Sequence, residues 1–120
     1  MRRLGMILLV ILALSAMAAP AWAEESHVCE HDGTTIESLH HCVMHAAEMG
    51  HITNPGVANS LLRKVEAAHA ALDRGQPEVA AEVLGAFIGE VQAQSGKHIA
   101  PEHAGHLIHH AEGVIAALDL

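Results

Sequence analysis

Apolar residues recur at every third or fourth position from about residue 35 to the C-terminus. This spacing places them on one face of an α-helix, and glycine and proline divide the pattern into four segments. No alternating strand pattern competes with it. We therefore predict an all-α fold, a small antiparallel four-helix bundle, with helices over residues 35–49, 57–74 and 77–94 and from about 101 to the C-terminus.

Each predicted helix carries one apolar stripe, which we expect to form the core of the bundle. His69 lies at the edge of the second stripe, where we expect a packed, neutral imidazole. The stripes are Ile36, Leu39, Val43, Ala46 and Ala47 in the first segment; Leu61, Leu62, Val65, Ala68 and Leu72 in the second; Val79, Val83, Leu84, Phe87, Ile88 and Val91 in the third; and Ala104, Leu107, Ile108, Ala111, Val114, Ile115 and Leu118 in the fourth.

The N-terminal residues have the pattern of an export signal. Arg2 and Arg3 precede an apolar run shorter than the roughly 20 residues that span a membrane, and Ala21-Trp22-Ala23 forms a cleavage site. Cleavage would leave no stable membrane insertion and would place the protein in the periplasm or the medium. We predict a signal peptide over residues 1–23, a polar arm with histidine and cysteine over 24–34, and the helical domain over 35–120.

Charge and aromatic content argue against a nucleic-acid partner. The chain has a formal net charge of −8 with neutral histidine, and such a surface repels phosphate backbones. It contains no tyrosine and one phenylalanine, and its one tryptophan lies in the predicted signal. Because bases stack on aromatic rings in most single-strand binding proteins, we expect no nucleic-acid partner.

Several short motifs follow one another along the predicted bundle: "GVANSLL", "LDRG", "AFIGEV", "SGKHI" and "AEGVIAAL". Together with the preceding helix "IESLHHCVMHAAEMG", this run resembles the FIMAH domain, a small helical module of secreted bacterial proteins, over residues 36–118. The resemblance implies a helical bundle that serves as an accessory module of exported enzymes and surface proteins, and it implies no catalytic residue. This chain differs in following a predicted signal peptide directly. It also has histidine at many positions where alanine, leucine or a generic polar residue is expected.

Histidine is the most unusual feature of the composition, with twelve residues in the chain. His41 and His45 lie one helical turn apart, opposite the apolar stripe of the first segment. We predict that they bind Cu²⁺, Ni²⁺ or Zn²⁺, with His27 or His31 of the arm as further ligands. The alternative is that these histidines are solvated polar residues without a ligand. Secondary candidates on the last helix are His103, His106 and His110.

The two cysteines, Cys29 and Cys42, allow three interpretations. An even pair in an exported domain normally forms a disulfide, and closing a loop of about fourteen residues would stabilise the fold by about 3 kcal/mol. A disulfide would also tie the arm to the first helix. The alternatives are a zinc site that combines the two thiolates with nearby histidines, and free thiols.

Two functions therefore remain open. The first is an exported protein that buffers, carries or senses a divalent transition metal. The second is a structural or protein-interaction module that docks another exported protein, with association that depends on pH near 6.5 if histidines take part. We expect no enzymatic activity, because the chain has no HExxH, GxSxG or CxxCH motif and no phosphate-binding glycine loop.

Overall fold

Four α-helices account for most of residues 34–120, the part of the chain that the computed structural model describes. The order is α1 (Ile36–Glu48), α2 (Pro55–Asp73), α3 (Pro77–Gln94) and α4 (Pro101–Ala117). The all-α prediction is confirmed, and every helix boundary lies close to its predicted position. The predicted signal peptide and nearly all of the predicted arm lie outside the described residues.

The helix ends follow from local sequence. Three helices begin with a proline, at Pro55, Pro77 and Pro101, where the missing amide hydrogen is not needed. Asn54 caps α2, since its side chain accepts hydrogen bonds from two amides of the first turn. Gly75 follows α2 with a φ of 71°, a left-handed conformation that favours glycine. These signals explain why the boundaries could be predicted.

The helices pack in a ring. α1 contacts α2, α2 contacts α3, α3 contacts α4, and α4 returns to α1. Short connections make successive helices antiparallel. Phe87 has no exposed surface and belongs to one core of buried leucine, isoleucine, valine and alanine residues to which all four helices contribute. None of the described helices is both long enough and apolar enough to span a bilayer.

Two of the predicted core positions are wrong. Val79 is 41 % exposed, and the smaller Ala80 takes the buried position beside it. His69 is exposed, whereas Ala68 is buried. In both cases the covered face of the helix is shifted by one position from the predicted stripe, so the adjacent alanine is buried instead. The outer members of the stripes are only partly buried: Ala47, Leu62, Leu72, Val83, Ile88, Ile108, Ile115 and Leu118.

The α1–α2 and α3–α4 connections pair at one end of the bundle. The amide of Ala100 donates to the carbonyl of His51 over 3.0 Å, and the amide of Thr53 donates to the carbonyl of His98 over 2.8 Å. Ile52 lies between these bonds and is buried. This pairing holds His51 beside the first turn of α4.

Candidate metal centre

The interface between α1 and α4 brings polar side chains into the core. His110 of α4 is 3 % exposed and is the only polar or charged residue that is buried among residues 34–120. Cys42 of α1 is 2 % exposed. Each lies three residues after a core leucine, Leu39 or Leu107, and so continues the apolar face of its helix. A thiol and an imidazole therefore occupy positions at which apolar side chains would complete the core.

Cys42 comes together with His106 and His110 in what we call the buried Cys/His cluster. Each residue offers one ligand atom, and the three atoms lie within 4.8 Å of one another. Zinc holds sulfur at about 2.3 Å and imidazole nitrogen at about 2.0 Å, which separates neighbouring ligand atoms by about 3.3–3.6 Å in a tetrahedral site. Side-chain movements of about 1 Å would bring the cluster to that spacing.

The tautomer of His110 follows from its contact with Ser38. The Nε2 atom of His110 lies 2.8 Å from the Ser38 hydroxyl oxygen. That hydroxyl donates its single proton to the carbonyl of Thr35 over 3.0 Å. While that proton stays on the carbonyl, the Ser38 oxygen accepts from His110 and Nε2 carries the ring proton. The lone pair of the ring is then on Nδ1, which is the nitrogen able to ligate a metal.

His106 is half-buried and lies next to His110 on α4. The two ring centroids are 6.2 Å apart and the ring planes are inclined by 77°. The Nε2 atom of His106 is buried and has no hydrogen-bond partner among the described residues. An unsatisfied buried nitrogen costs about 1–3 kcal/mol, and binding a metal or a water molecule would remove this cost.

A second pair of histidines, which we call the outer histidine pair, lies where α4 begins. His51 and His103 are stacked, with centroids 3.5 Å apart and planes inclined by 15°. Both side chains are half-buried. The Nδ1 atom of His103 is buried without a hydrogen-bond partner among the described residues, as is Nε2 of His106. Two unsatisfied imidazole nitrogens therefore lie on successive turns of α4.

The environment of His103 favours its neutral form. Burial lowers the pKa of His103 below the ordinary value of 6.5, and the neighbouring His51 lowers it further. Glu102 opposes this shift, whereas His106 and His45 add to it more weakly. The neutral form of an imidazole is the one that ligates metals, so His103 is a competent ligand at neutral pH.

The structure describes only two of the four residues of the predicted primary metal site, His41 and His45. On α1, His41 is exposed and His45 is half-buried. The charge of His45 contributes weakly to the lowered pKa of His103. His27 and His31, the ligands predicted from the arm, lie outside the described residues. Binding at this set therefore stays a prediction. The structure places His41 outside the buried Cys/His cluster, since that cluster consists of other residues.

The structure places each of the secondary candidates, His103, His106 and His110, beside another possible metal ligand. Two of them, His106 and His110, belong to the buried Cys/His cluster, and His103 belongs to the outer histidine pair. Sequence reasoning missed His51, because it lies in a turn and meets α4 only in the folded chain. It also paired Cys42 with Cys29, which lies outside the described residues, so the disulfide stays a prediction. The "HLIHHA" run on α4 was the signal for His106 and His110.

The histidines between α1 and α2 have ordinary surroundings. His69 lies 3.4 Å from a carboxylate oxygen of Glu37 and 3.8 Å from one of Asp73. His40 lies 3.7 Å from a carboxylate oxygen of Glu66. These side chains are largely exposed, and solvent screens such pairs. They explain part of the histidine content without a ligand.

Comparison with known families agrees with the helical architecture. The family model described as "FIMAH domain" matches residues 36–116, which contain almost all of the four helices. The chain belongs to the FIMAH domain family. The predicted resemblance is thereby confirmed, and all three residues of the buried Cys/His cluster lie within this FIMAH domain. No curated protein and no solved structure gives a significant match to the chain.

Proposed function

We propose that this FIMAH domain binds one divalent transition metal ion at the buried Cys/His cluster, through Cys42 and through one nitrogen each of His106 and His110. The convergence of three nitrogen and sulfur ligand atoms within 4.8 Å carries this proposal. A solvent molecule completes the coordination, as in zinc sites with three protein ligands.

The chemistry of the ligands selects the metal. Thiolate and imidazole favour Zn²⁺, Cu²⁺ and Ni²⁺, whereas Mg²⁺ and Ca²⁺ prefer oxygen ligands. Ser38 supports the site from outside, because it holds His110 in the tautomer that has Nδ1 available as a ligand. Ligation through Nε2 of His106 would also satisfy a buried nitrogen that has no hydrogen-bond partner among the described residues.

The proposed site and the predicted disulfide compete for one sulfur atom. A Cys42 thiolate can ligate a metal, whereas a Cys42 joined to Cys29 has no thiolate to offer. In an oxidising compartment the metal must therefore bind before the two cysteines are oxidised, or bind to histidines alone. We accordingly propose the Cys/His site for the reduced protein.

The biological role that fits these features is an exported metal buffer, carrier or sensor. Export is supported by the sequence of residues 1–23, with its basic start, apolar run and small-residue cleavage site. We propose no catalytic role. Among residues 34–120, Ser38 and His110 make a contact that suggests a catalytic dyad, but the serine proton is directed to the Thr35 carbonyl and the imidazole is buried.

Cobalt provides the test, because a Co²⁺–thiolate bond gives a characteristic absorption band. The reduced protein is titrated with Co²⁺, and Zn²⁺ is then added as a competitor. We expect one ion to bind with a thiolate band that Zn²⁺ removes. Cys42→Ser should abolish the band, and the His106→Ala/His110→Ala double variant should abolish binding. The matched control is His109→Ala, which changes an exposed histidine on the same helix.

A protein-interaction role is the second candidate, and a specific surface favours it. A groove of about 610 Å³ runs between α1 and α2, lined mostly by apolar side chains that include Met44 and Leu62. Met44 is 41 % exposed and Met49 is 48 % exposed. Methionine-rich surfaces adapt to different partners. Dissociation constants weaker than about 100 μM for Co²⁺, Zn²⁺ and Cu²⁺, about 5.5 kcal/mol of binding, would exclude the metal proposal and favour this one.

A further inference from the structure

We propose that the outer histidine pair is the loading site for the buried Cys/His cluster, and that a metal ion passes from His51 and His103 along α4 through His106 to His110 and Cys42. This inference rests on the proposed function, since it assigns a route to the same metal site. It adds a separate role for His51 and His103, which are not among the ligands of the buried cluster.

The spacing of the histidines along α4 supports this route. His103, His106 and His110 are separated by three and four residues, so they lie on one face of the helix on successive turns. We call these three residues the histidine ladder. Neighbouring residues at this spacing have Cβ atoms about 5–6 Å apart, and the rings of His106 and His110 are 6.2 Å apart. Side-chain rotation covers such a distance, which permits transfer by exchange of one ligand for the next.

Burial is greatest at the inner end of the histidine ladder. His51 and His103 are half-buried at the end of the bundle, His106 is half-buried, and His110 is 3 % exposed. The hydrogen bond from the Ala100 amide to the His51 carbonyl fixes the turn that holds the outer ring against α4. Cys42 is 2 % exposed, so a hydrated ion meets the half-buried histidines before it reaches Cys42 and His110.

Two ligand atoms on the route lack a hydrogen-bond partner among residues 34–120 that a metal would have to displace. The buried nitrogens of His103 and His106 that have no partner among the described residues are on adjacent turns. Each transfer replaces one neutral imidazole in the coordination shell by another and needs no proton. A proton is released only in the last step, when the Cys42 thiol becomes a thiolate ligand.

Residues on the route and ligands of the final site differ in how their removal changes the rates and the affinity of metal binding. Removing a residue on the route slows metal uptake and metal release by the same factor, so the equilibrium constant is unchanged. Removing a ligand of the final site lowers the affinity itself. Uptake of Co²⁺ by the reduced full-length protein, followed in a stopped-flow instrument by the thiolate band, separates the two.

His51→Phe is the most informative variant, because phenylalanine keeps a flat ring against His103 but has no ligand nitrogen. We expect the final Co²⁺ spectrum and affinity to match those of the unchanged protein, with uptake and release each slower by the same factor. His103→Gln should give the same result. His98→Ala and His109→Ala, which change exposed histidines outside the route, should leave both rates unchanged.

Three outcomes would overturn the inference. Unchanged rates in His51→Phe and His103→Gln would show that the ion reaches the buried cluster by another way. A loss of equilibrium affinity in these variants would make both residues ligands. If Co²⁺ gives no thiolate band with the unchanged protein, the proposed function and the route are both wrong. Circular dichroism of each variant checks that the helices are intact.

Discussion

The imidazole rings of His51 and His103 lie face to face, with centroids 3.5 Å apart and planes inclined by 15°. One ring comes from the α1–α2 connection and the other from the first turn of α4. The contact therefore joins two segments that are distant in sequence. Two stacked imidazoles attract as neutral rings but repel when both are protonated, so this end of the bundle depends on pH.

The stability of the domain should decrease when the pH falls below about 6.5. Burial and the neighbouring His51 lower the pKa of His103 in the folded state, so the unfolded chain binds its proton at a higher pH than the folded chain does. Stability rises with pH wherever the unfolded state holds more protons. Urea unfolding at pH values between 5 and 8 measures this dependence, and His103→Gln should reduce its slope. If stability changes equally with pH in the unchanged protein and in His103→Gln, the pH dependence does not come from His103.

Replacing Leu107 with aspartate should unfold the bundle. Leu107 is 2 % exposed in the core, and an unpaired carboxylate there costs several kcal/mol, which is comparable to the total stability of a small domain. His109→Asp changes an exposed residue two positions later on the same helix and should change the melting temperature little. Thermal melting followed by circular dichroism compares them. Similar melting temperatures would mean that the observed faces of α4 are incorrect.

Ser38→Ala should weaken both the fold and the proposed metal site. The substitution removes the oxygen that accepts from Nε2 of His110 and leaves a buried donor unsatisfied, which costs about 1–3 kcal/mol. Loss of such a supporting partner lowers metal affinity by about 10–100-fold. Ser38→Thr retains the hydroxyl and is the matched control. Chemical denaturation measures the loss of stability, and Co²⁺ titration measures the loss of metal affinity. Equal metal affinity of the alanine and threonine variants would exclude a supporting role.

Oxidation should remove the thiolate-dependent metal binding. If Cys29 and Cys42 form the predicted disulfide, protein prepared without reductant has a mass lower by two hydrogens and does not react with a thiol reagent until reduced. Co²⁺ should then give a thiolate band only with the reduced form. Full reactivity of both cysteines in exported protein would contradict the disulfide. A thiolate band in the oxidised protein would contradict competition for Cys42.

The helices could be predicted from sequence because their signals are local. The prolines that open α2, α3 and α4 and the glycine that follows α2 act within one turn of the backbone. The predictions for Val79 and His69 are wrong for a reason that is not local. A stripe defines the apolar side of a helix, but the neighbouring helix decides which edge of that side is covered.

The candidate metal centre also depends on contacts between helices that the sequence does not reveal. His41 and His45 are a predicted site because one helix alone holds them one turn apart, and a sequence reveals such pairs directly. The ligand atoms of Cys42 and His110 meet only because α4 returns to pack against α1. The sequence indicated His106 and His110 as secondary candidates but did not indicate that a cysteine of another helix faces them.

The sequence by itself determined the family, the number of helices, their approximate ends and an unusual supply of imidazoles. These properties follow from periodicity, capping and composition, which act over a few residues. Only the tertiary structure decided which imidazoles are buried, which stack and which lie beside a thiol. That decision depends on how each helix is rotated against its neighbours, and the rotation is fixed by the packing of the whole core around Phe87 rather than by any one segment.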